Sequence, residues 1–212
     1  MGGSPVAIAN MALSWLGANP VVAVDGSDPS EAGQLLGDQF QPLVDAVTED
    51  RDWTFATQRF QLAPSAVAPA WGYTTQFLLP PQVLRTVWCC LAEATTGVES
   101  VGPDPMKLNW VQEGRYILAG KIGTDMGFGT LSAVNIKAIV QVEDPTQWSP
   151  GFCQCVSARI AQDLCIGLTG NLELQQTMAA LYEKKIKTAA ANDGRQGTSQ
   201  VRRANTIARQ RR

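Results

Sequence analysis

Apolar positions in the first part of the chain recur at helical spacing. Val6, Ala9, Leu13 and Leu16 fall on one face. Ser4 stands where an N-cap belongs, Pro5 fits a first turn, and Gly17 supplies a stop. After the loop "ANPVVAVDGSDPS", a second stripe runs through Ala32, Leu35, Leu36, Phe40, Leu43, Val44 and Val47. Asp28 is the expected N-cap of this helix, with Pro29 at the first helical position and Glu31 completing a capping box. Pro42 interrupts the stripe and predicts a kink or a split.

From residue 53 to about residue 147 helical periodicity fades. Short apolar stretches alternate with Gly, Pro, Asn and Asp turns: "WTFATQRFQLA", "TTQFLLP", "VLRTVWCCLA", "VESV", "LNWVQEG", "RYILAG" and "VNIKAIVQV". They predict six or seven short antiparallel strands, with "QEGR" as a hairpin turn. "GKIGTDMGFGT" packs four of the chain's 19 glycines into eleven residues and predicts a flexible loop. It lacks the Gly-Lys-Ser/Thr and GxGxxG spacings of phosphate-binding loops.

Helix returns at "SPGFCQCVSARIAQDLCIGLTG". Ser149 caps it, Pro150 opens it, and Phe152, Val156, Ile160 and Leu164 form its stripe. The last helix starts at Thr169 or Asn171 and turns Leu174, Met178, Leu181 and Ile186 inward. Its acids come early and Lys184, Lys185 and Lys187 late, as the helix dipole favours. Asn192-Asp193-Gly194 is expected to end it. The pattern as a whole predicts an α+β fold. A helical bundle is formed by the N- and C-terminal helices (1–52 and 148–193), with an inserted antiparallel β lobe (53–147) and an extended basic C-terminal arm (194–212).

Composition narrows the chemistry. The 212 residues are 45% apolar and 17% charged, with no run long enough to span a bilayer. The N-terminus lacks the basic start of a secretory signal. Histidine is absent, which removes the commonest general base and metal ligand. Cys89, Cys90, Cys153, Cys155 and Cys165 do not have zinc-ligand spacing, and they read as reduced packing residues made in a cytosol. Neither a metal nor a cofactor is expected.

Charge is unevenly placed. Arg195, Arg202, Arg203, Arg209, Arg211 and Arg212 lie in a terminal stretch with no acid, whereas the other 193 residues carry 11 basic and 19 acidic side chains. Such an arm suits phosphates, or an acidic protein partner against which it folds. It is expected to be docked rather than solvated. Asp50/Asp52, Glu143/Asp144 and Asp25/Asp28 are the carboxylate pairs that could serve a hydrolase, but each sits beside a turn or helix end, where acids cap and solubilise. Trp53 follows the second helix and opens the first predicted strand. With Phe55 it is expected to pack at the lobe junction, the alternative being a subunit-interface anchor.

One ordered set of segments is familiar. "ALSWLGANPV", "DWTFATQRFQL", "YTTQFLLPPQVLR", "WVQEGRYILAG", "SPGFCQCVSARIAQDLCIGLTGN" and "LYEKKIKTAAANDG" follow one another across most of residues 6–190. The set resembles the head-to-tail adaptors, or tail tubular protein A family, of short-tailed bacteriophages (podoviruses). "LPPQVLR" departs from the pattern by lacking an acid near Gln82. The resemblance implies a structural, non-enzymatic virion protein of the neck, made in the host bacterial cytoplasm. It implies a homo-oligomeric ring of about twelve copies. The ring would join portal protein to tail nozzle, extend the channel for double-stranded DNA, and help genome retention and ejection. The arm would reach the portal, and the β lobe with its glycine-rich loop would face the tail. The alternatives are a cell-wall or capsule polysaccharide hydrolase of a phage tail, or a nucleic-acid-binding module acting through the arm.

Overall fold

The computed structural model describes residues 3–92, 108–121 and 131–196. Within them the chain is α+β, in the order α1 (Pro5–Leu16), α2 (Glu31–Glu49), β1 (Thr57–Leu62), β2 (Tyr73–Leu78), β3 (Val83–Leu91), β4 (Trp110–Glu113), β5 (Tyr116–Lys121), β6 (Val134–Val140), α3 (Pro150–Thr169) and α4 (Leu172–Gln196). The expected "VESV" strand and most of the glycine-rich loop lie outside the described residues.

Caps explain where most helices begin and end. Ser4 Oγ accepts from Ala7 N–H, Ser149 Oγ from Phe152 N–H, and Asn171 Oδ1 from Leu174 N–H. Gly17 and Gly170 close α1 and α3 in the left-handed conformation. The start of α2 differs from expectation, because Ser30 and not Asp28 is its N-cap. Asp28 is spent on the preceding loop: its carboxylate takes the N–H and Oγ–H of Ser30 and the N–H of Val22. Pro42 does not split α2, which runs unbroken from Glu31 to Glu49.

The carboxyl end of α2 is closed by tertiary contacts. Asp50 N–H satisfies the Ala46 carbonyl, and Trp53 Nε1–H donates to the Val47 carbonyl at 2.9 Å. Arg85 of β3 donates to the Glu49 carbonyl and pairs with Asp52. The Val47 and Glu49 carbonyls are ones that a helix end cannot satisfy by itself. The chain then turns through Thr54–Ala56, so β1 starts at Thr57, later than the sequence pattern suggests.

α3 packs against α1, α2 and α4, and it is buried on more than its expected stripe. Ser157, in its middle, satisfies its hydroxyl on the carbonyls of Ile8 and Cys153. The strands form two three-stranded antiparallel sheets, β1-β6-β3 and β2-β5-β4. Gly114 and Arg115 make the predicted two-residue hairpin between β4 and β5, with Glu113 opposite Tyr116. The sheets enclose a second core: Leu62, Cys89, Val134 and Ile136 from the first, Phe77, Ile117 and Ala119 from the second. The helical core is continuous with the near side of the first sheet through Ala56, Ile139 and Val140, and Phe60 and Val83 touch both cores.

At the lobe junction, Trp53, Phe55, Trp148 and Phe152 form one aromatic cluster. Trp53 meets Phe152 edge-on at 5.1 Å, and Phe55 and Trp148 meet it at 4.9 and 5.5 Å. Trp53 is fully buried, which fits the junction reading and removes it as a subunit-interface anchor. Trp53→Ala is expected to cost about 3–5 kcal/mol in chemical unfolding. Trp148→Phe keeps most of the bulk but orphans the Val142 carbonyl, and is expected to cost about 1–3 kcal/mol.

Candidate assembly surfaces

Five of the six acids in the three carboxylate pairs are held by local or tertiary bonds, and Glu143 is exposed. Asp25 accepts from the N–H and Oγ–H of Ser27, and Asp144 from the N–H and Oγ–H of Thr146 as it caps a short 3₁₀ turn. Asp50 accepts from the Tyr182 hydroxyl, and Asp52 pairs with Arg85. Hydroxyl and amide donors hold the carboxyls of Asp25, Asp28 and Asp144 below the usual range. A general acid needs the opposite shift. Asp45 is raised by burial, but its oxygens take the side-chain amides of Gln41 and Gln141, which tie α2 to the chain leaving β6.

All five cysteines are buried free thiols. Burial pushes Cys89 and Cys155 up to about 12, so neither is a thiolate at neutral pH. These side chains do the packing work expected of them. Among the described residues, no helix is long and apolar enough to cross a membrane.

One group of exposed apolar side chains lies on the β2-β5-β4 sheet. Alternation sends Thr75, Phe77, Ile117 and Ala119 inward and leaves Leu78, Tyr116 and Val111 on the outer face, all three exposed. The segment before β2 folds along that sheet: Ser65 N–H donates to the Gln76 carbonyl, and Pro64 bridges to Phe77. It carries Val67 and Trp71, the latter 84% exposed. Trp71, Tyr73, Tyr116 and Leu118 line a cleft of about 250 Å³, with Gln76 and Glu113 as polar groups at its wall. Solvent-facing aromatics around a concavity are the usual anchors of protein contacts. The sequence pattern did not single out Trp71; its one signal is a bulky aromatic within the Pro- and Ala-rich "APSAVAPAWG".

The basic arm is only partly in view. Arg195 sits exposed in the last turn of α4, which continues through Asn192-Asp193-Gly194 to Gln196. The helix thus outlasts its expected stop, and Arg195 belongs to it and not to an extended arm. Arg202, Arg203, Arg209, Arg211 and Arg212 lie outside the described residues, as does the expectation that the arm is docked. Comparison with known protein families gives no matching family model, and a search of curated proteins gives no match.

The lowered carboxyls set a pH dependence. Their native values lie below the ordinary 3.8, so their contribution is complete only well above that value and is lost as the pH falls past it through the native values. Stability is therefore expected to decline from about pH 5 downward, and Asp28→Asn to flatten that decline. Urea titrations at stepped pH would show it.

Proposed function

We propose that this chain is a structural virion protein, a ring-forming head-to-tail adaptor that joins a portal to a tail nozzle and carries the DNA channel between them. In this reading it is made in the host bacterial cytoplasm and works in the neck of the particle, without cofactor, metal or catalytic residue. The observation that carries the reading is the presence of two docking features of unlike chemistry in one small chain. An aromatic cleft opens on the sheet farther from the helical core, whereas an arginine-rich segment follows the helix that ends beside the lobe junction.

A bridge between two different partners needs two different surfaces. A hydrolase needs acids that converge with their acidities pushed apart, and here Asp25, Asp28, Asp50, Asp52 and Asp144 are individually tied to serine, threonine, tyrosine and arginine partners. The order of the recognisable segments supports the same reading. In a closed ring, each copy offers one surface to the next and a different one back. Many arms docking together would give firm attachment from individually weak contacts. A body whose charge is mainly acidic outside the arm would let DNA pass without holding it.

The tests follow the two surfaces. Truncation after Gln196 is expected to abolish attachment to portal-bearing heads without lowering the unfolding midpoint; normal attachment would sink the role given to the arm. Mass measurement of the protein alone and with portal is expected to give a ring of about twelve copies when portal is present, and a single-copy mass in both conditions would end the ring reading. Trp71→Ala is expected to leave stability unchanged while weakening the tail-side contact by about 2 kcal/mol, about thirtyfold in Kd. The arginines also favour a second reading, in which the arm touches DNA. Steeply salt-dependent DNA binding by the isolated protein would support that, and no binding at low salt would dispose of it.

A further inference from the structure

The far end of α4 poses a question that its own sequence does not answer. Asn, Asp and Gly are poor helix formers in succession, yet the helix runs through Asn192-Asp193-Gly194 to Gln196. The reason is tertiary. Asp193 is 5% exposed, and its two carboxylate oxygens take the backbone N–H of Thr54 at 2.7 Å and the Thr54 Oγ–H at 2.8 Å. One turn earlier, Ala189 is buried against Gly151, where an added Cβ would sit 3.1 Å from the Ala189 Cβ. Between these points and Arg195, Asp193 is the one buried residue.

We infer that residues 192–196 are a two-state latch at the base of the arm: helical while Asp193 holds Thr54, unwound when it lets go. Local preference and tertiary bonding oppose each other here, and such conflicts are where a chain can switch. Closed, the latch fixes the direction in which the segment beyond Gln196 leaves the body, because the carboxylate is bound at both oxygens to one residue. Open, it lengthens the tether. A helical residue advances about 1.5 Å and an extended one about 3.4 Å, so five residues gain about 10 Å. Asp193 is thus a positioning residue for whatever the arm engages. That role rests on the proposed docking of the arm, whereas the latch itself does not.

Hydrogen exchange on the full-length protein tests it. In Asp193→Ala, amides of residues 192–196 are expected to exchange roughly ten- to hundredfold faster, as for loss of bonds to a charged group. Trypsin should cut after Arg195 correspondingly faster, while amides from Met178 to Ile186 keep their rates. Thr54→Val, which loses the hydroxyl donor but keeps the backbone one, should give a smaller rise at the same amides, and it carries the test if the alanine variant does not fold. Unchanged exchange at residues 192–196, or an equal rise along all of α4, would overturn the latch. Asp193→Ala is also expected to lower attachment to portal-bearing heads. Faster local exchange with unaltered attachment would overturn the positioning role. Normal attachment after truncation at Gln196 would instead sink the docking of the arm, leaving the exchange result to judge the latch.

Discussion

Two buried indoles must each find a hydrogen-bond acceptor, and the rest of the structure is arranged around how they do so. The chain passes from helices to strands just after Trp53 and returns just before α3, at Trp148. A buried indole N–H without a partner is costly. Both tryptophans meet the demand alike, donating to a backbone carbonyl six residues earlier, Val47 for Trp53 and Val142 for Trp148. Each bond therefore fixes the path of the chain as it enters or leaves the sheets. Phe152 stands between the two rings and meets both edge-on. The sheet region is consequently no detachable insertion: the helical core closes only with Ala56, Ile139, Val140 and Val142 in place.

Helix positions and most of their caps were legible because their causes are local. Ser4, Ser149 and Asn171 act on amides three residues away, within reach of any reading by pattern. The hairpin at Gly114 was legible for the same reason. What failed were positions where a distant residue outbids a local preference. Asp28 looks like a cap until Val22 and Ser30 claim its oxygens. Asn192-Asp193-Gly194 looks like a stop until Thr54, 139 positions away, claims Asp193. The central place of β6, between β1 and β3, also depends on long-range pairing that no short window contains.

The candidate surfaces divide in the same way. A run of arginines without acids stands out in any reading of charge. Trp71 does not, because an exposed aromatic has no periodic companions and resembles a core residue until the fold shows nothing packed over it. Trp53 and Trp71 are the same residue type in neighbouring segments, one fully buried and one 84% exposed. Residue type alone could not have separated a buried aromatic from an exposed one.

Apolar packing and polar bonding contribute differently where α4 meets the junction. Ala189 against Gly151 brings helix and body close, but small apolar contacts tolerate sliding and rotation. The carboxylate of Asp193 does not, since two donors from one residue fix both distance and angle. Thr54 directly follows Trp53, which is fully buried and bonded through its indole, so the helix end is tied to a well-anchored point. The same short stretch thereby closes α2 through the Trp53 indole, fills the aromatic cluster with Trp53 and Phe55, and holds the last turn of α4 through Thr54. A substitution there reaches three elements at once, whereas one at Trp71 reaches none of them.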